Sequence, residues 1–360
     1  MRSHRHNAAR TGTRLFLLGL AVMALAGCTK EETNTGAPPS NGNPNPTSTG
    51  SPPPPTSSGA KKKIVFVFKV GGISYSEACK AGAQQANDDP ALNVEVTYQA
   101  PTEATAAAQN SIIEQAIISK VDAIVVSPND ADAIIPSIKK ASDAGIKVYT
   151  WDSDAPKSAR TFYVRAADDV QIGVDILDAV AKSAGGKGKI LLFSGGRTAA
   201  NLNLHIQGIE EAAKKLTDVK LVQPYIYNDD DKSKATTMAV QALQANPDAV
   251  GIACVISPSP AAAGEALKKL NLIGKVKVWG LGLPSETKTY LKDDSVTGLY
   301  LWDPQKLTYE TAKLVKSALD GTAPKDGDKM GDGTVTVKDG IVTLPLRLEI
   351  NKGNVDSLKF

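Results

Sequence analysis

From residue 63 onward the spacing of apolar residues keeps switching between two periods. β-Branched and aromatic runs predict strands over 63–69, 93–98, 123–126, 147–151, 189–193, 219–225, 249–255, 275–280 and 295–302. Between them, helical spacing predicts helices over 77–87, 105–119, 133–144, 170–184, 203–216, 232–245, 261–270, 286–293 and 307–319. Alternation of this kind gives parallel sheets covered by helices on both faces. The strands are too many for one small sheet. The economical α/β reading is two doubly wound parallel-sheet lobes joined by a hinge, with a cleft between them, although a closed eight-stranded barrel would alternate in the same way. The first lobe is expected over 61–165, completed by about 302–330, and the second over 166–301, completed by part of 331–360.

Ahead of this region the pattern is different. Arg2, Arg5, Arg10 and Arg14 make a cationic start, and the apolar stretch 15–26 is too short to cross a bilayer comfortably. It ends in Leu25-Ala26-Gly27-Cys28, where small residues precede a cysteine that can be acylated. Residues 1–27 therefore read as a lipoprotein signal peptide and Cys28 as the lipidation site. That predicts an extracytoplasmic protein anchored to a bacterial membrane, at the periplasm or cell surface. Residues 31–60 are mostly Thr, Asn, Gly, Ser and Pro, including Pro52 to Pro55, and cannot bury enough apolar surface to order themselves, so 28–60 reads as an anchored, disordered linker.

Charge adds little. The formal +3 includes the four arginines ahead of Cys28, so the chain from Cys28 onward carries one net negative charge. The short run Lys61-Lys62-Lys63 does not build a phosphate-binding stripe, so no nucleic-acid partner is expected. Cys79 and Cys254 are far apart in sequence and read as small buried residues rather than as a disulfide framework. Neither a Gly-rich phosphate loop nor a metal-spaced His/Cys cluster occurs, and no cofactor is expected.

The informative residues sit just after the predicted strands, where doubly wound sheets place ligands. Lys69, Asn129 with Asp130, Asp152 with Asp154, Asn201 with Asn203, and Trp302 with Asp303 each follow an apolar run. No Ser-His-Asp or Cys-His arrangement is visible, and His205 lies on a helical stretch. The Asp-x-Asp spacing at 152 and 154 puts alternate side chains on one face of a strand, which suits hydroxyl recognition as well as acid–base chemistry. Binding rather than catalysis is the favoured reading.

Several blocks occurring in one order carry a resemblance: Phe66-Val67-Phe68-Lys69 with Tyr75, Pro101-Thr102-Glu103-Ala104, Val125-Val126-Ser127-Pro128-Asn129-Asp130, Thr150-Trp151-Asp152-Ser153-Asp154, Gly280-Leu281-Gly282-Leu283-Pro284 and Leu301-Trp302-Asp303-Pro304. With these residues the chain resembles the type I periplasmic sugar-binding proteins of ABC transporters. Within the ribose-binding-like family it is most similar to the rhamnose- and autoinducer-2-binding branch.

The resemblance implies that Lys69 donates to ligand oxygens and that Asp152 accepts from vicinal hydroxyls. It puts Tyr75 as an aromatic ring against a sugar, Trp302 where another sugar binder has a polar amide, and Asn201 where relatives have an aspartate or an arginine. Asp154 and Asn203 are expected beside them. So is Cys254, where Cys254-Val255-Ile256 replaces the small or polar residues usual in relatives and suggests a greasier wall. The implied protein is a monomer that captures a small neutral sugar (a pentose, deoxyhexose or related furanose) and delivers it to the membrane permease of an ABC importer. Alternatives are a sensory receptor feeding a chemoreceptor or kinase and, further off, a secreted carbohydrate-active enzyme.

Overall fold

The computed structural model describes residues 59–360, all within one compact unit. The expected signal, Cys28 and nearly all of the linker lie outside the described residues. The first lobe opens with β1 (Lys62–Val67), α1 (Ser74–Asp88), β2 (Val94–Gln99), α2 (Ala106–Ile118), β3 (Ala123–Val126), α3 (Ile135–Asp143), β4 (Lys147–Trp151) and β5 (Tyr163–Arg165). The chain then crosses to the second lobe. There it forms α4 (Asp169–Ser183), β6 (Gly188–Ser194), α5 (Ala200–Ala213), β7 (Val219–Leu221), β8 (Ile226–Tyr227) and α6 (Lys232–Ala245). The lobe continues through β9 (Ala249–Cys254), α7 (Pro258–Lys269), β10 (Lys277–Leu281), α8 (Pro284–Lys292) and β11 (Gly298–Leu301). A second crossing brings α9 (Pro304–Leu319) back onto α1 of the first lobe. It is followed by the small hairpin β12 (Lys329–Met330) and β13 (Gly333–Thr334), then β14 (Thr336–Lys338) and β15 (Ile341–Thr343). A third crossing ends in β16 (Leu348–Ile350).

Two open sheets result, so the barrel is excluded. The first runs β14-β15-β5-β4-β3-β1-β2 and the second β16-β11-β10-β9-β6-β7, with β8 also paired to β6. Apart from the hairpin edge β14 and the antiparallel strand β16, the pairs in both sheets are parallel. Each sheet carries the same doubly wound order, and its strand order reverses beside β1 in one lobe and beside β6 in the other.

The strands form where they do because they are buried on both faces. In β1, Val65 and Val67 pack with Ile113, Ile124 and Ile138 beneath α2 and α3, while Ile64 and Phe66 pack on the opposite side with Val125, Tyr149 and Trp151. Such strands need continuous apolar runs rather than alternation. Helix starts are marked by side-chain caps: Thr105 accepts from Ala108 N, Asp168 from Gln171 N, Asp231 from Ser233 N, and Asp303 from Gln305 N ahead of a proline in the first turn.

The expected strand 219–225 is two short pieces, β7 and β8. Pro224 lies between them and cannot donate to a ladder. The strands β5, β14, β15 and β16 have three residues each, too few to show a period. In the C-terminal stretch β14 and β15 extend the first sheet and β16 the second, so residues beyond 330 serve both lobes.

Candidate ligand site

The carboxyl ends of both sheets face one another, and between them lies a void of about 490 Å³, counted to its mouth. Lys69, Tyr75, Asp152, Asn201 and Trp302 all line it. Lys69 follows β1 and is fixed by its own backbone. Asn129 Nδ2 donates to the Lys69 carbonyl at 2.8 Å. Fully buried Gln109, on α2, donates to the carbonyls of Phe68 and Ser127 at 3.1 and 2.7 Å, and accepts from Asn129 N at 2.9 Å. A side chain on one helix thus ties the ends of two neighbouring strands together.

Asp152 follows β4 in a tight turn. Its φ is +61°, left-handed for a non-glycine residue, and Ser153 N donates to Trp151 O across it at 2.6 Å. Strain of this kind persists where the surroundings over-determine it. Here they do: Asp152 Oδ1 accepts from Tyr75 Oη at 2.8 Å, and Oδ2 accepts from Lys69 Nζ at 3.1 Å and Ser127 Oγ at 3.0 Å. Burial first, and the Asp152 charge next, push the Tyr75 hydroxyl well above its ordinary value of 10.0, so it stays a proton donor. The same oxygen accepts from Trp302 Nε1 at 2.7 Å. Lys69 also reaches the second lobe, donating to Asn201 Oδ1 at 3.1 Å.

Three expected residues are placed elsewhere. Because the chain turns sharply at Asp152, Asp154 does not share its face as the strand spacing suggested. Asp154 instead receives Arg160 Nε and Nη2 at 2.5 and 2.7 Å, and Thr150 Oγ1 at 2.5 Å. Asn203 is exposed on α5, two residues round from Asn201, and donates to the Arg197 carbonyl at 3.0 Å. Cys254 is fully buried against Gly280, where any Cβ would collide with the Cys254 backbone, and the wall is formed by its neighbours Val255 and Ile256. Cys79 and Cys254 are both buried and unpaired.

Three polar residues that the spacing did not single out also line the void: His205, Asp230 and Ser257, the last at the N-terminal end of α7. His205 is one helical turn after Asn201, completely buried, with Nε2 3.3 Å from Asp169 Oδ1 on α4. Its position depends on Gly173 and Gly208, which let α4 and α5 cross with backbone against side-chain-free backbone. An i, i+4 reading from Asn201 was the available signal. Asp230 sits after β8, in a stretch whose irregular turn hides it from any periodicity. Among the described residues no group of three or more His, Cys, Asp or Glu could hold a metal ion.

A model of the periplasmic binding protein domain matches residues 64–323. The chain belongs to this family. Similar solved structures in the family's fold include an ABC transporter solute-binding protein from Clostridium phytofermentas with bound L-rhamnose. It is 28% identical, with a TM-score of 0.77, over 83% of this chain and 98% of that one. LsrB from Clostridium saccharobutylicum in complex with AI-2 is 26% identical, with a TM-score of 0.75, over 83% of this chain and all of the other (100%). Among curated sequences, the D-ribose/D-allose-binding protein of Pseudomonas aeruginosa is 26% identical over 68% of this chain and 76% of its own length. The two-lobed fold and the family expected from the sequence both hold. The family's periplasmic character implies a location outside the cytoplasm, and no helix among the described residues is long and apolar enough to cross a membrane.

Proposed function

We propose that this protein is a lipid-anchored solute receptor that captures a small neutral sugar (a pentose, deoxyhexose or related furanose) and delivers it to an ABC importer. The observation that carries the reading is the linked set Lys69, Tyr75, Asp152, Asn201 and Trp302, drawn from both lobes into one cleft. Donors and acceptors from two bodies can serve one ligand only when the cleft is shut. Ligand therefore stabilises the closed form, which a permease can distinguish from the open one. Tyr75, Trp302 and Phe68 supply apolar faces for the C–H side of a sugar ring. No arginine lines the void, so a phosphate or carboxylate would lack a bidentate partner.

The relatives that bind rhamnose, AI-2 and ribose support this ligand class. Cys28 as the anchor rests on the sequence ahead of the lobes. Calorimetry of the purified protein against neutral sugars, sugar phosphates and amino acids tests the proposal. Saturable binding of a neutral sugar that is recovered unchanged is expected. Binding only of a sugar phosphate or an amino acid, or chemical turnover, overturns it.

A further inference from the structure

Asp230 is the acceptor in the cleft with the most unused capacity. It closes the turn Asn228-Asp229-Asp230, in which Asp229 and Asp230 take left-handed φ values of 54° and 60°. Fully buried Asn228 holds this turn. Its Oδ1 accepts from Asp230 N at 3.1 Å, and its Nδ2 donates to Ser259 Oγ at 3.0 Å. Gly195 makes room for the carboxylate, since a Cβ there would stand 2.9 Å from both Asp230 oxygens.

The Asp230 side chain lines the void with 9% of the residue exposed, and it accepts one hydrogen bond, from Gly196 N to Oδ2 at 3.2 Å. The nearby Lys234 pairs with Asp229 and Asp231 instead. The second lobe's wall mixes the apolar Leu202, Val255, Ile256, Leu281 and Leu301 with Asn201, His205 and Ser257, none of which donates a hydrogen bond to Asp230. Asp152 is in the opposite condition. Of about four acceptor positions on a carboxylate, three are filled by Tyr75, Lys69 and Ser127.

A buried carboxylate that accepts a single hydrogen bond calls for more donors, and closure of the cleft leaves the ligand to supply them. An ammonium on the ligand would be poorly suited, because the Lys69 charge already acts on Asp230 within the same cavity. Two adjacent hydroxyls fit the two oxygens without that repulsion. We propose that Asp230 is the principal hydroxyl acceptor of the site and that the ligand must present a vicinal diol to it. This rests on the neutral-sugar reading above, and it moves the main acceptor from the first lobe to the second.

The test is calorimetry with the wild-type chain, Asp230→Asn and Asp230→Ala, using D-ribose, D-arabinose, L-rhamnose, the monodeoxy forms of each, and D-glucosamine. For whichever parent sugar binds, Asp230→Ala should weaken binding by about tenfold or more, with Asp230→Asn between. The variants should also lose the wild-type preference for the parent over the deoxy form that lacks the contacted hydroxyl, which a merely structural role would leave intact. Asp230→Asn preserves size and turn, and thermal melts identify a variant that has not folded. Unchanged affinity and unchanged discrimination in both variants overturn the role of Asp230 and leave the sugar reading standing. Binding of D-glucosamine alone overturns the claim that Asp230 takes neutral hydroxyls rather than an ammonium. Equal binding of a parent sugar and all its monodeoxy forms overturns the diol, and a wild type that binds no sugar removes the reading and this inference together.

Discussion

Lys69 and Asn201 face each other across the cleft from different lobes, with Nζ 3.1 Å from Oδ1. The same ammonium holds Asp152 on its own lobe, also at 3.1 Å, so one cation ties both walls of the site and retains a third N–H for a ligand. Asn201→Ala breaks the tie without leaving a charge unpaired, because the Lys69–Asp152 pair remains. Affinity for the bound sugar should fall by about 1.5 kcal/mol, roughly the value of a hydrogen bond to a charged group. Small-angle scattering of the ligand-free variant should show a larger radius of gyration than the wild type. Equal affinity and equal radius would remove Asn201 from both roles.

Asp152→Ala is the harsher change. It strands Lys69, removes an acceptor from Tyr75 and Ser127, and places alanine at a left-handed φ of 61°. Ligand affinity should fall by about 2 kcal/mol or more, and the unfolding free energy by about 3 kcal/mol, since breaking a buried pair leaves an uncompensated charge. Calorimetry and denaturant titration measure the two separately. An effect on stability alone would make Asp152 a scaffold for Lys69 and nothing more.

What the sequence made legible follows from which signals are local. Lys69, Asn201 and Trp302 lie directly beyond long strands or at a helix start, so periodicity located them, and the resemblance supplied their chemistry. Asp154 was misplaced because strand alternation was extended through a turn that φ at Asp152 reverses, and Asn203 because the helix expected from 203 begins at Ala200, so that Asn201 and Asn203 are two apart on one helix and point away from one another. Asp230 was missed because its turn is set by buried Asn228 and by the absence of a side chain at Gly195, thirty-five residues earlier. Neither signal is periodic. Short strands such as β5 escaped for the same reason: three residues hold no period, and their pairing is decided by neighbours far along the chain.

At the mouth of the cleft, Ser74 Oγ on α1 donates to Glu286 Oε1 on α8 at 2.8 Å, and Lys232 reaches the same oxygen at 2.9 Å. The Ser74 bond spans the lobes and closes only with them. Glu286→Ala should lower thermal stability by about 1 kcal/mol, since Glu286 is mostly buried and accepts from Ser74 while its partner Lys232 is largely exposed. The closed form should be favoured less, so that ligand dissociates several-fold faster in stopped-flow measurements. An unchanged dissociation rate would show that the mouth contributes nothing to closure.

Anchoring at Cys28 is separable from binding, because the residues that line the cleft all lie in the lobes from Phe68 onward. Cys28→Ser should move the protein from the membrane fraction to the soluble fraction, with its sugar affinity unchanged. Mass spectrometry of the wild type that finds a mature Cys28 thiol without an acyl chain would sink the assignment.

Asp230 joins ligand recognition to a cost in stability. Burial raises its pKa above the ordinary 3.8, while Lys69 and the bond from Gly196 pull it down and the charges of Asp152 and Asp229 push it up. A carboxyl whose pKa is raised by folding takes up a proton as the chain folds. The stability it contributes is full below the unfolded value of 3.8, and it is lost as pH rises through the higher folded value. At neutral pH the ionised group is therefore a liability in the empty protein. Asp230→Asn removes the charge and tolerates the left-handed turn as aspartate does. The ligand-free variant should be more stable than the wild type at pH 7 by about 1 kcal/mol, the scale of an unsatisfied buried acceptor. That advantage should shrink as the pH falls toward 3.8, and with saturating sugar present the order should reverse, because the wild type then regains the hydrogen bonds that the amide cannot fully accept. Melts of both proteins across pH, with and without sugar, read all of this. A variant less stable than the wild type at pH 7 without ligand would mean that Asp230 is satisfied inside the empty protein and has no need of a sugar.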